Sequence, residues 1–438
     1  MLRRLPGVGI PGFKNTRGMA AKKLPVPETV VLPVSMHIGA PAKPVVKPGD
    51  HVKVGQVVAE PGGGISSTIH ASVSGTVKKI EDIVLSGGQL SPAVFIDSDG
   101  LQEVYEGVKP PEVSDRASFI SAVKDSGIVG LGGAGFPTYV KLNVKEGQVQ
   151  ELIINGAECE PFITSDTRMM LDDYRHILRG IELLDKYINP QRIIFGIEKN
   201  KADCIKLYRE KLKDFSKASV APLPEAYPQG GEKVMIFNTT GKIVPEGKLP
   251  LDVGVVVINC TTVASIARYI DTGMPLVKKT VTVDGSAVKN PCNVIVPVGT
   301  PVEKLFDFCG GFKKEPAKIL YGGPMMGIAV PGLDAPVLKS TNAVLALDRE
   351  DAELPESTNC IRCGRCSKIC PLNLVPGDIE DAYLKKDYEK LGQLDVSLCM
   401  ECGSCSYICP ARRPLTQTNK LAKAALRKYR ELKKEGQK

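Results

Sequence analysis

The sequence predicts a multidomain chain that combines α/β and α+β folds. With 438 residues, the chain exceeds what one hydrophobic core usually serves. Short β-branched runs, then alternating strand-like and helix-like runs, then a second β-rich stretch follow one another, and a cysteine-rich segment comes after them. We therefore expect four folded units between a basic N-terminal arm at residues 1–29 and a basic C-terminal helix at residues 416–438.

Residues 30–104 form the first predicted unit, in which runs such as "TVVLPV", "HVKVGQVVAE" and "AVFIDS" are separated by turn residues. This stretch resembles the barrel-sandwich hybrid of biotin- and lipoyl-carrier domains, which present a cofactor lysine at a hairpin tip. No lysine lies between Lys53 and Lys78, so we expect this fold without its carrier arm. His70 lies near the place of that lysine and is expected to be an ordinary turn residue.

In residues 112–275, strand-like runs alternate with helix-like runs, which predicts a Rossmann-like parallel α/β unit. "ELIIN" reads as a buried strand, and "SDTRMMLDDYRHILRGIELLDKY" reads as one helix that Ser165 or Asp166 can cap. "RIIFGIE" and "VGVVVIN" read as further strands. Such a unit places its ligand-binding loops at the carboxyl ends of the strands.

The remaining units are smaller. Residues 276–345 predict strands around one helix, in a β-grasp-like domain, and residues 350–415 carry two cysteine runs joined by a helical segment. At residues 416–438, a thin apolar stripe with basic residues opposite predicts an amphipathic helix, which we expect to dock onto membrane partners.

Charge and cysteine usage narrow the class of protein. Residues 1–27 hold six Lys and Arg without an acid, and residues 420–438 hold eight against two glutamates, which leaves the middle at −4 of the net +8. Basic ends favour an acidic partner or an anionic membrane surface, although solvated tails would look the same.

Eight of the thirteen cysteines lie in two runs, which is not a secretory disulfide pattern. No apolar window approaches the roughly 18 residues of a membrane span, so any membrane attachment is expected to be peripheral.

The cysteine runs "CIRCGRCSKICP" and "CMECGSCSYICP" share the spacing C-x2-C-x2-C-x3-C-P. This is the spacing of two-cluster bacterial ferredoxins, in which the fourth cysteine of each run binds the other cluster. It predicts two [4Fe–4S] clusters rather than zinc, whose paired C-x2-C motifs usually share one ion. The first cluster is assigned Cys360, Cys363, Cys366 and Cys409, and the second Cys399, Cys402, Cys405 and Cys370.

A glycine-rich phrase, "GLGGAGFPTYVKL", precedes "INGAECEP", "YPQGGEK" and "INCTT". The glycines alone are a weak dinucleotide-binding signal, because no convincing strand comes before them and Phe136-Pro137 interrupts the expected helix. In this order, however, the phrases resemble the flavin- and NADH-binding subunit of respiratory complex I. The resemblance is closer still to the C subunit of the Rnf complex, a membrane-bound ferredoxin:NAD+ oxidoreductase, and it covers nearly the whole chain.

The resemblance implies FMN, NAD(H) and two [4Fe–4S] clusters as cofactors. It also implies a nucleotide site whose glycines approach the flavin and whose glutamates Glu158, Glu160 and Glu232 contact flavin or nicotinamide and are the candidate catalytic residues. Ala157 departs from the pattern, because the corresponding proteins of complex I carry an acid at this position. The cofactor-binding residues implied are Gly132, Gly133, Gly135, Lys141, Asn155, Glu158, Glu160, Gly231, Glu232 and Asn259.

The implied role is that of a peripheral subunit on the cytoplasmic side of an ion-translocating complex. It would exchange hydride with NAD(H) at a flavin and pass single electrons through the clusters to the other subunits of the complex. No nucleic acid partner is expected. Two alternatives stay open: a cobalamin reductase of the same extended family, whose barrel-sandwich module lies at the other end of the chain, and a non-catalytic iron–sulfur subunit with a vestigial flavin site.

Overall fold

The computed structural model describes residues 5–435. Predictions made for residues 1–4 and 436–438 lie outside this range. The chain begins with an extended segment, residues 5–27, which we call the N-terminal strap. It contains the short strand β1 (Lys22–Lys23). Val8 of the strap exchanges two backbone hydrogen bonds with Tyr227, of 2.8 and 2.9 Å, so the strap is bound to the body of the protein rather than extending as an arm.

The first unit consists of two antiparallel sheets that enclose a core of valine, isoleucine and alanine side chains. Their orders are β2-β8-β7-β4 and β3-β5-β6. His70 lies in a strand and is 5% exposed, so the expectation of a turn residue is wrong. The strands are β2 (Thr29–Pro33), β3 (Lys43–Pro44), β4 (His51–Val52), β5 (Val57–Glu60), β6 (Ile69–His70), β7 (Gly75–Val84) and β8 (Leu90–Ser98).

The second unit is a parallel sheet between helical layers. Alternate residues of its strands belong to separate cores, with Leu152 and Ile154 on one face and Ile153 on the other, as expected for a sheet covered on both sides. Its elements are α1 (Arg116–Asp125), α2 (Thr138–Leu142), β9 (Glu151–Asn155), α3 (Ser165–Asp172), α4 (Tyr174–Ile188), β10 (Arg192–Glu198), α5 (Ala202–Lys211), β11 (Ala218–Leu223), α6 (Glu232–Thr240), a 3-10 turn (Pro250–Val253), β12 (Val255–Asn259) and α7 (Cys260–Thr272).

The single long helix predicted from residue 165 is in fact two helices. Asp173, between α3 and α4, has φ −127° and ψ 28°, which breaks the helical path. Its carboxylate accepts from Arg268 and pairs with His176, so tertiary contacts hold the break. Neither Ser165 nor Asp166 caps α3, because its N-cap residue is Thr164, which makes no side-chain cap.

The third unit is a mixed sheet in the order β1-β14-β13-β17-β15-β16, so the N-terminal strap supplies one edge strand. Lys22 and Lys23 pair in parallel with Val294 and Ile295. This pairing ties residues at the start of the chain to a domain that begins some 250 residues later. The other elements are β13 (Lys278–Asp284), β14 (Cys292–Pro297), α8 (Val302–Phe308), β15 (Lys318–Tyr321), β16 (Ile328–Ala329) and β17 (Ala343–Leu347).

The fourth unit is helical and carries the cysteine runs. The C-terminal helix packs Ala422 and Leu426 into the same core as Ile379 and Leu391, so part of its apolar stripe is covered within the chain, whereas Leu432 is exposed. The helices are α9 (Arg349–Ala352), α10 (Arg365–Ile369), α11 (Pro376–Leu384), α12 (Tyr388–Gln393), a 3-10 turn (Val396–Leu398), α13 (Ser404–Tyr407) and α14 (Leu415–Glu435).

A buried lysine joins the first three units. Lys339 is 1% exposed, and its ammonium donates to Ser67 Oγ at 3.3 Å, to the Thr68 carbonyl and to the Gly127 carbonyl at 2.8 Å. Burial lowers the pKa of Lys339 to about 7. The three oxygens come from the barrel-sandwich unit and the parallel unit, so one amine helps fix their orientation.

Candidate flavin and iron–sulfur site

The candidate nucleotide site lies at the topological switch point of the parallel sheet. The strand order β11-β10-β9-β12 reverses direction at β9, and ligands of such sheets bind at the carboxyl ends of the strands beside this point. Asn155 ends β9 and Asn259 ends β12, and the two residues are register partners. The sequence-predicted asparagines are therefore neighbours at the switch point.

The glycine loop lies directly against this edge. Leu131 N donates to Thr262 Oγ1 at 3.0 Å, which holds the loop on the start of α7. A Cβ on Gly132 would lie 2.4 Å from Asn259 Nδ2, so the fold itself requires glycine there. A Cβ on Gly133 would meet no protein atom within 4 Å, and Gly135 has φ 69°. The open face at Gly133 is suited to a close backbone approach by a ligand.

The two asparagines use their amides within the protein. Asn155 Nδ2 donates to the Gly230 carbonyl at 3.0 Å, and its Oδ1 accepts from Ala157 N. Asn259 Oδ1 caps α7, and its Nδ2 donates to Asp166 at 2.7 Å. Each amide retains one N–H for a ligand.

Lys141 and Glu232 form an ion pair at the same edge. Lys141 Nζ donates to Glu232 Oε1 at 2.7 Å and to the Val257 carbonyl at 3.0 Å. The side chains are 34% and 40% exposed, so both can reach a ligand from the surface of the site. Gly231 is the N-cap residue of α6, which places Glu232 in the first turn of that helix.

Glu158 is directed into the protein rather than toward a ligand. It is 6% exposed, and its carboxylate accepts from Asp166 N at 2.7 Å, from Thr167 N at 3.2 Å and from Thr167 Oγ1 at 2.6 Å. It therefore caps α3, the role expected of Ser165 or Asp166.

Glu160 binds the third unit. Its carboxylate accepts from Met325 N at 3.1 Å, from Met326 N at 2.9 Å and from the Tyr227 hydroxyl at 3.4 Å. A Cβ on Gly323 would lie 2.2 Å from Glu160 Oε2, so this approach requires glycine. Burial raises the pKa of Glu160, although the two backbone donors oppose this shift.

Three further residues act on the site and were not in the sequence-predicted set. Lys14 of the N-terminal strap donates to the carbonyls of Glu158, Glu160 and Ile163. Lys279 Nζ donates to the Lys339 carbonyl at 2.8 Å and to Leu131 of the glycine loop at 3.4 Å, and burial lowers its pKa to about 7.

The third is Asp166, which orients Asn259. Burial, followed by the charge of Glu158, raises the pKa of Asp166 to about 6. The sequence carries no local signal for these three roles, because the partners lie far along the chain. Lys14 is 144 residues from Glu158, Lys279 is 148 residues from Leu131, and Asp166 is 93 residues from Asn259.

One set of cysteines surrounds a common cavity. Cys370, Cys399, Cys402 and Cys405 line it together with Asn419 and other side chains of the unit. Asn419 Nδ2 donates to Cys399 Sγ at 3.6 Å, the kind of hydrogen bond that tunes a cluster. Burial raises the pKa of the Cys405 thiol to about 12. This set contains the fourth cysteine of the first run, as the crossed assignment predicts.

The second set lies nearer the surface. Cys360 and Cys363 are exposed, and Cys366 and Cys409 are partly buried. The pKa of Arg413 is raised by its hydrogen bond with Glu380 and also by the charges of Cys360 and Cys409. Among residues 5–435, no three His, Cys, Asp or Glu side chains converge as a single metal ion would require.

The cysteine-rich unit contacts the nucleotide edge. Met400, between Cys399 and Cys402, lies so close to Gly231 that a Cβ on this glycine would be 2.2 Å from Met400 Cε. Val8, Tyr227 and Cys402 share one small apolar core. The set of cysteines that lines the cavity is therefore next to the loop that carries Glu232.

Within the described range, no helix combines the length and apolar character of a membrane span. Four family profiles match the chain in the order of the four units. They are the RnfC barrel-sandwich hybrid domain at residues 5–101, the Nuo51 FMN-binding domain at 123–268, the SLBB domain at 280–329 and a 4Fe–4S dicluster domain at 354–410. The predicted fold classes and cofactors, FMN and [4Fe–4S] clusters with an NAD-linked flavin domain, are confirmed by these matches.

Similar proteins extend over most of the chain. The C subunit of the Na+-translocating ferredoxin:NAD+ oxidoreductase complex of Acetobacterium woodii is 42% identical, covering 83% of this chain and 83% of that protein. The C subunit of the proton-translocating complex of Clostridium ljungdahlii is 41% identical, covering 83% and 80%. The C subunit of the ion-translocating oxidoreductase complex of Rhodobacter capsulatus is 38% identical, covering 92% and 79%.

A solved structure shares the fold alone. The NAD+-reducing [NiFe]-hydrogenase in its air-oxidised state matches with a TM-score of 0.50 at 18% identity, covering 71% of this chain and 63% of that one. The identities to the three oxidoreductase subunits and the RnfC domain match leave one assignment: the chain belongs to the RnfC family, the C subunits of ion-translocating ferredoxin:NAD+ oxidoreductase complexes.

Proposed function

We propose that this chain exchanges electrons between NAD(H) and a membrane-bound, ion-translocating oxidoreductase complex, from a peripheral position on the cytoplasmic side. Family membership and the FMN and dicluster domains support an oxidoreductase subunit. Ion translocation is proposed for the complex, following the names of the similar subunits. FMN, when bound, would accept an electron pair from the nicotinamide and release electrons singly, the conversion that one-electron clusters require.

The observation that carries this proposal is the contact between Met400 and Gly231. This contact places the cysteine-lined cavity next to the loop that carries Glu232, so a cluster bound in the cavity would lie beside the nucleotide site. We assign Cys370, Cys399, Cys402 and Cys405 to the cluster nearer the nucleotide and Cys360, Cys363, Cys366 and Cys409 to the outer one.

The residues of the nucleotide site have separable roles in this proposal. Gly132, Gly133 and Gly135 would admit the flavin, with Lys141 beside them as a point charge. Glu232 is the sequence-predicted glutamate with the most accessible carboxylate and is our candidate for nicotinamide contact. Glu158 and Glu160 position the loop through their own hydrogen bonds, and this role replaces direct catalysis in our assignment.

Anaerobic reconstitution with FMN, iron and sulfide tests the proposal. NADH is expected to bleach the flavin absorbance and to produce electron paramagnetic resonance signals of reduced clusters. Glu232→Gln is expected to raise the KM for NADH while FMN content is unchanged. Bound clusters without bound flavin would instead favour a non-catalytic electron-transfer subunit, and reduction of a cobalamin by NADH would favour the reductase alternative.

A further inference from the structure

Two free cysteines of the third unit lie in contact with each other. Cys292 begins β14, and Cys309 follows α8, 17 residues later, yet their sulfur atoms are 3.4 Å apart. Both side chains are buried, at 5% and 1% exposure. The sulfurs of a disulfide are about 2.05 Å apart, so a further approach of about 1.4 Å would join these two. Neither cysteine belongs to the two cysteine runs.

Backbone contacts hold the segments that carry the two cysteines side by side. Asn290 N donates to the Cys309 carbonyl at 3.1 Å, and Lys289 N donates to the Gly311 carbonyl at 3.1 Å. The turn after α8 uses φ of 79° at Gly310 and 78° at Gly311, a conformation that favours glycine. The path of the main chain therefore keeps the two cysteines close.

The two thiols differ in reactivity. Their hydrogen bond lowers the pKa of Cys292; burial and the charge of Asp284 oppose this shift, and the charge of Lys22 supports it. Lys22 belongs to β1 of the N-terminal strap, which pairs with β14. The same hydrogen bond, together with burial, raises the pKa of Cys309. Cys292 therefore forms the thiolate, the reactive state of cysteine, more readily than Cys309 does.

The protein layer that covers the pair is thin. Lys289 and Asn290, just before Cys292, are exposed, and so is Gly310, directly after Cys309. A small displacement of this surface turn would admit a molecule as small as a peroxide to the Cys292 sulfur.

We propose that Cys292 and Cys309 are an oxidation-sensitive dithiol, which a peroxide converts to a disulfide between the start of β14 and the end of α8. In the first step, the Cys292 thiolate attacks one peroxide oxygen, the O–O bond breaks, and a sulfenic acid forms as hydroxide leaves. In the second step, the Cys309 sulfur attacks the sulfenic sulfur, the S–O bond breaks, and the S–S bond forms. Hydroxide takes up the protons of the two thiols.

In sum, two thiols are oxidised to one disulfide, and one hydrogen peroxide is reduced to two molecules of water. A dithiol reductant restores both cysteines by thiol–disulfide exchange. The inference is independent of the proposed function, because no step involves NAD(H), flavin or a cluster.

The test uses the reconstituted full chain, treated anaerobically with a small molar excess of hydrogen peroxide. The protein is then unfolded in iodoacetamide and digested with trypsin without reduction. Trypsin places Cys292 in residues 290–304 and Cys309 in residues 305–313. A disulfide therefore links two separate peptides, and their joint mass is lower by two hydrogen atoms. Disulfides among cysteines 360–409, formed where a cluster is lost, appear in other peptides.

Alkylation of Cys292 and Cys309 is expected to fall in parallel, by at least about tenfold, and to recover after treatment with dithiothreitol. Cys204 is the internal control. It is 0% exposed and belongs to the core of the parallel unit, and it is expected to remain fully alkylated.

Two matched serine variants separate the roles of the thiols. In Cys309→Ser, Cys292 lacks its resolving thiol, so its sulfenic acid is expected to accumulate and to be trapped by dimedone. In Cys292→Ser, oxidation of Cys309 is expected to be at least about tenfold slower. Thermal midpoints of the reduced variants check that they fold, and the cross-link in the wild type judges the proposal if one does not.

Several outcomes would overturn the proposal. Complete alkylation of both cysteines in the oxidised wild type is one, and a disulfide from either of them to a different cysteine is another. A link that forms only when the chain is unfolded before oxidation would also overturn it, because the fold would then play no part. Formation of the link in a protein whose flavin NADH does not reduce would support this inference and contradict only the proposed function.

Discussion

Replacing Lys14 with methionine is expected to loosen the loop that contains Glu158 and Glu160. The ammonium of Lys14 donates to the carbonyls of Glu158 at 2.8 Å, of Glu160 at 2.7 Å and of Ile163 at 2.7 Å. Methionine retains most of the side-chain volume and removes all three bonds. At about 1 kcal/mol net for each hydrogen bond, the loop loses about 3 kcal/mol of local stability.

Hydrogen exchange measures this loss directly. The N–H of Phe162 donates to the Gly12 carbonyl of the strap at 2.8 Å, so its exchange requires the strap and the loop to separate. A loss of about 3 kcal/mol corresponds to roughly a hundredfold faster exchange of this amide. Mass spectrometry of a peptide that covers residues 154–164 would detect the change.

Two controls sharpen the measurement. Lys22→Met alters an exposed lysine of the same strap and is expected to leave exchange at Phe162 unchanged. Lys14→Arg keeps a cation with several donors and is expected to restore part of the protection. The KM for NADH is expected to rise in Lys14→Met, because the loop borders the nucleotide edge. Exchange at Phe162 that is equally slow in wild type and Lys14→Met would refute the reasoning.

The remaining predictions concern the glycine loop, the cluster ligands and the buried amine. Gly133→Ala is expected to weaken FMN binding without loss of thermal stability, because its Cβ would meet no protein atom. Gly132→Ala is expected to lower both FMN affinity and thermal stability, because its Cβ would meet Asn259. Equal losses of thermal stability in the two variants would contradict this difference. Cys370→Ser and Cys409→Ser are each expected to halve the iron content, from about eight atoms to about four, and Cys370→Ser is expected also to slow cluster reduction by NADH more than Cys409→Ser does. Burial lowers the pKa of Lys339 from 10.5 to about 7, so the unfolded chain binds more protons than the folded chain between pH 7 and 10.5. The free energy of unfolding is therefore expected to rise with pH across that window, by up to about 1.4 kcal/mol per pH unit. Lys339→Met is expected to flatten this rise in thermal midpoints measured from pH 7 to 9.5, and parallel slopes would rule the assignment out.

The N-terminal strap shows that a cluster of basic residues in the sequence does not reveal which groups those residues bind. The sequence suggests a basic arm for an external partner, but Lys14 binds carbonyls of the parallel unit, and Lys22 and Lys23 extend the sheet of the third unit. The C-terminal helix shows the same limit, because part of its apolar stripe packs on the helices beside the clusters. The sequence shows where charged residues concentrate along the chain, whereas the groups that these residues contact depend on the fold.

For the loop that contains Glu158 and Glu160, the sequence identified the residues of the site but not their roles. The phrase "INGAECEP" locates a site at the end of a strand, and the structure places that strand at the switch point. Neither Glu158 nor Glu160 is free, because a helix N-terminus and a loop of the third unit supply their donors. Only Glu232 keeps the exposure that a nicotinamide contact would need.

The sequence by itself determined the identity and order of the units, the cysteines of both runs and the glycine loop, since these signals lie in short stretches whose spacing is set by the covalent chain. Tertiary structure alone decided which carboxylates are already bonded, which lysines are buried, and that Met400 contacts Gly231 while Ile361 stays exposed. The physical reason is that hydrogen bonding and desolvation depend on atoms brought together from positions 100 residues or more apart, as with Lys14 and Glu158, and no local pattern records that proximity.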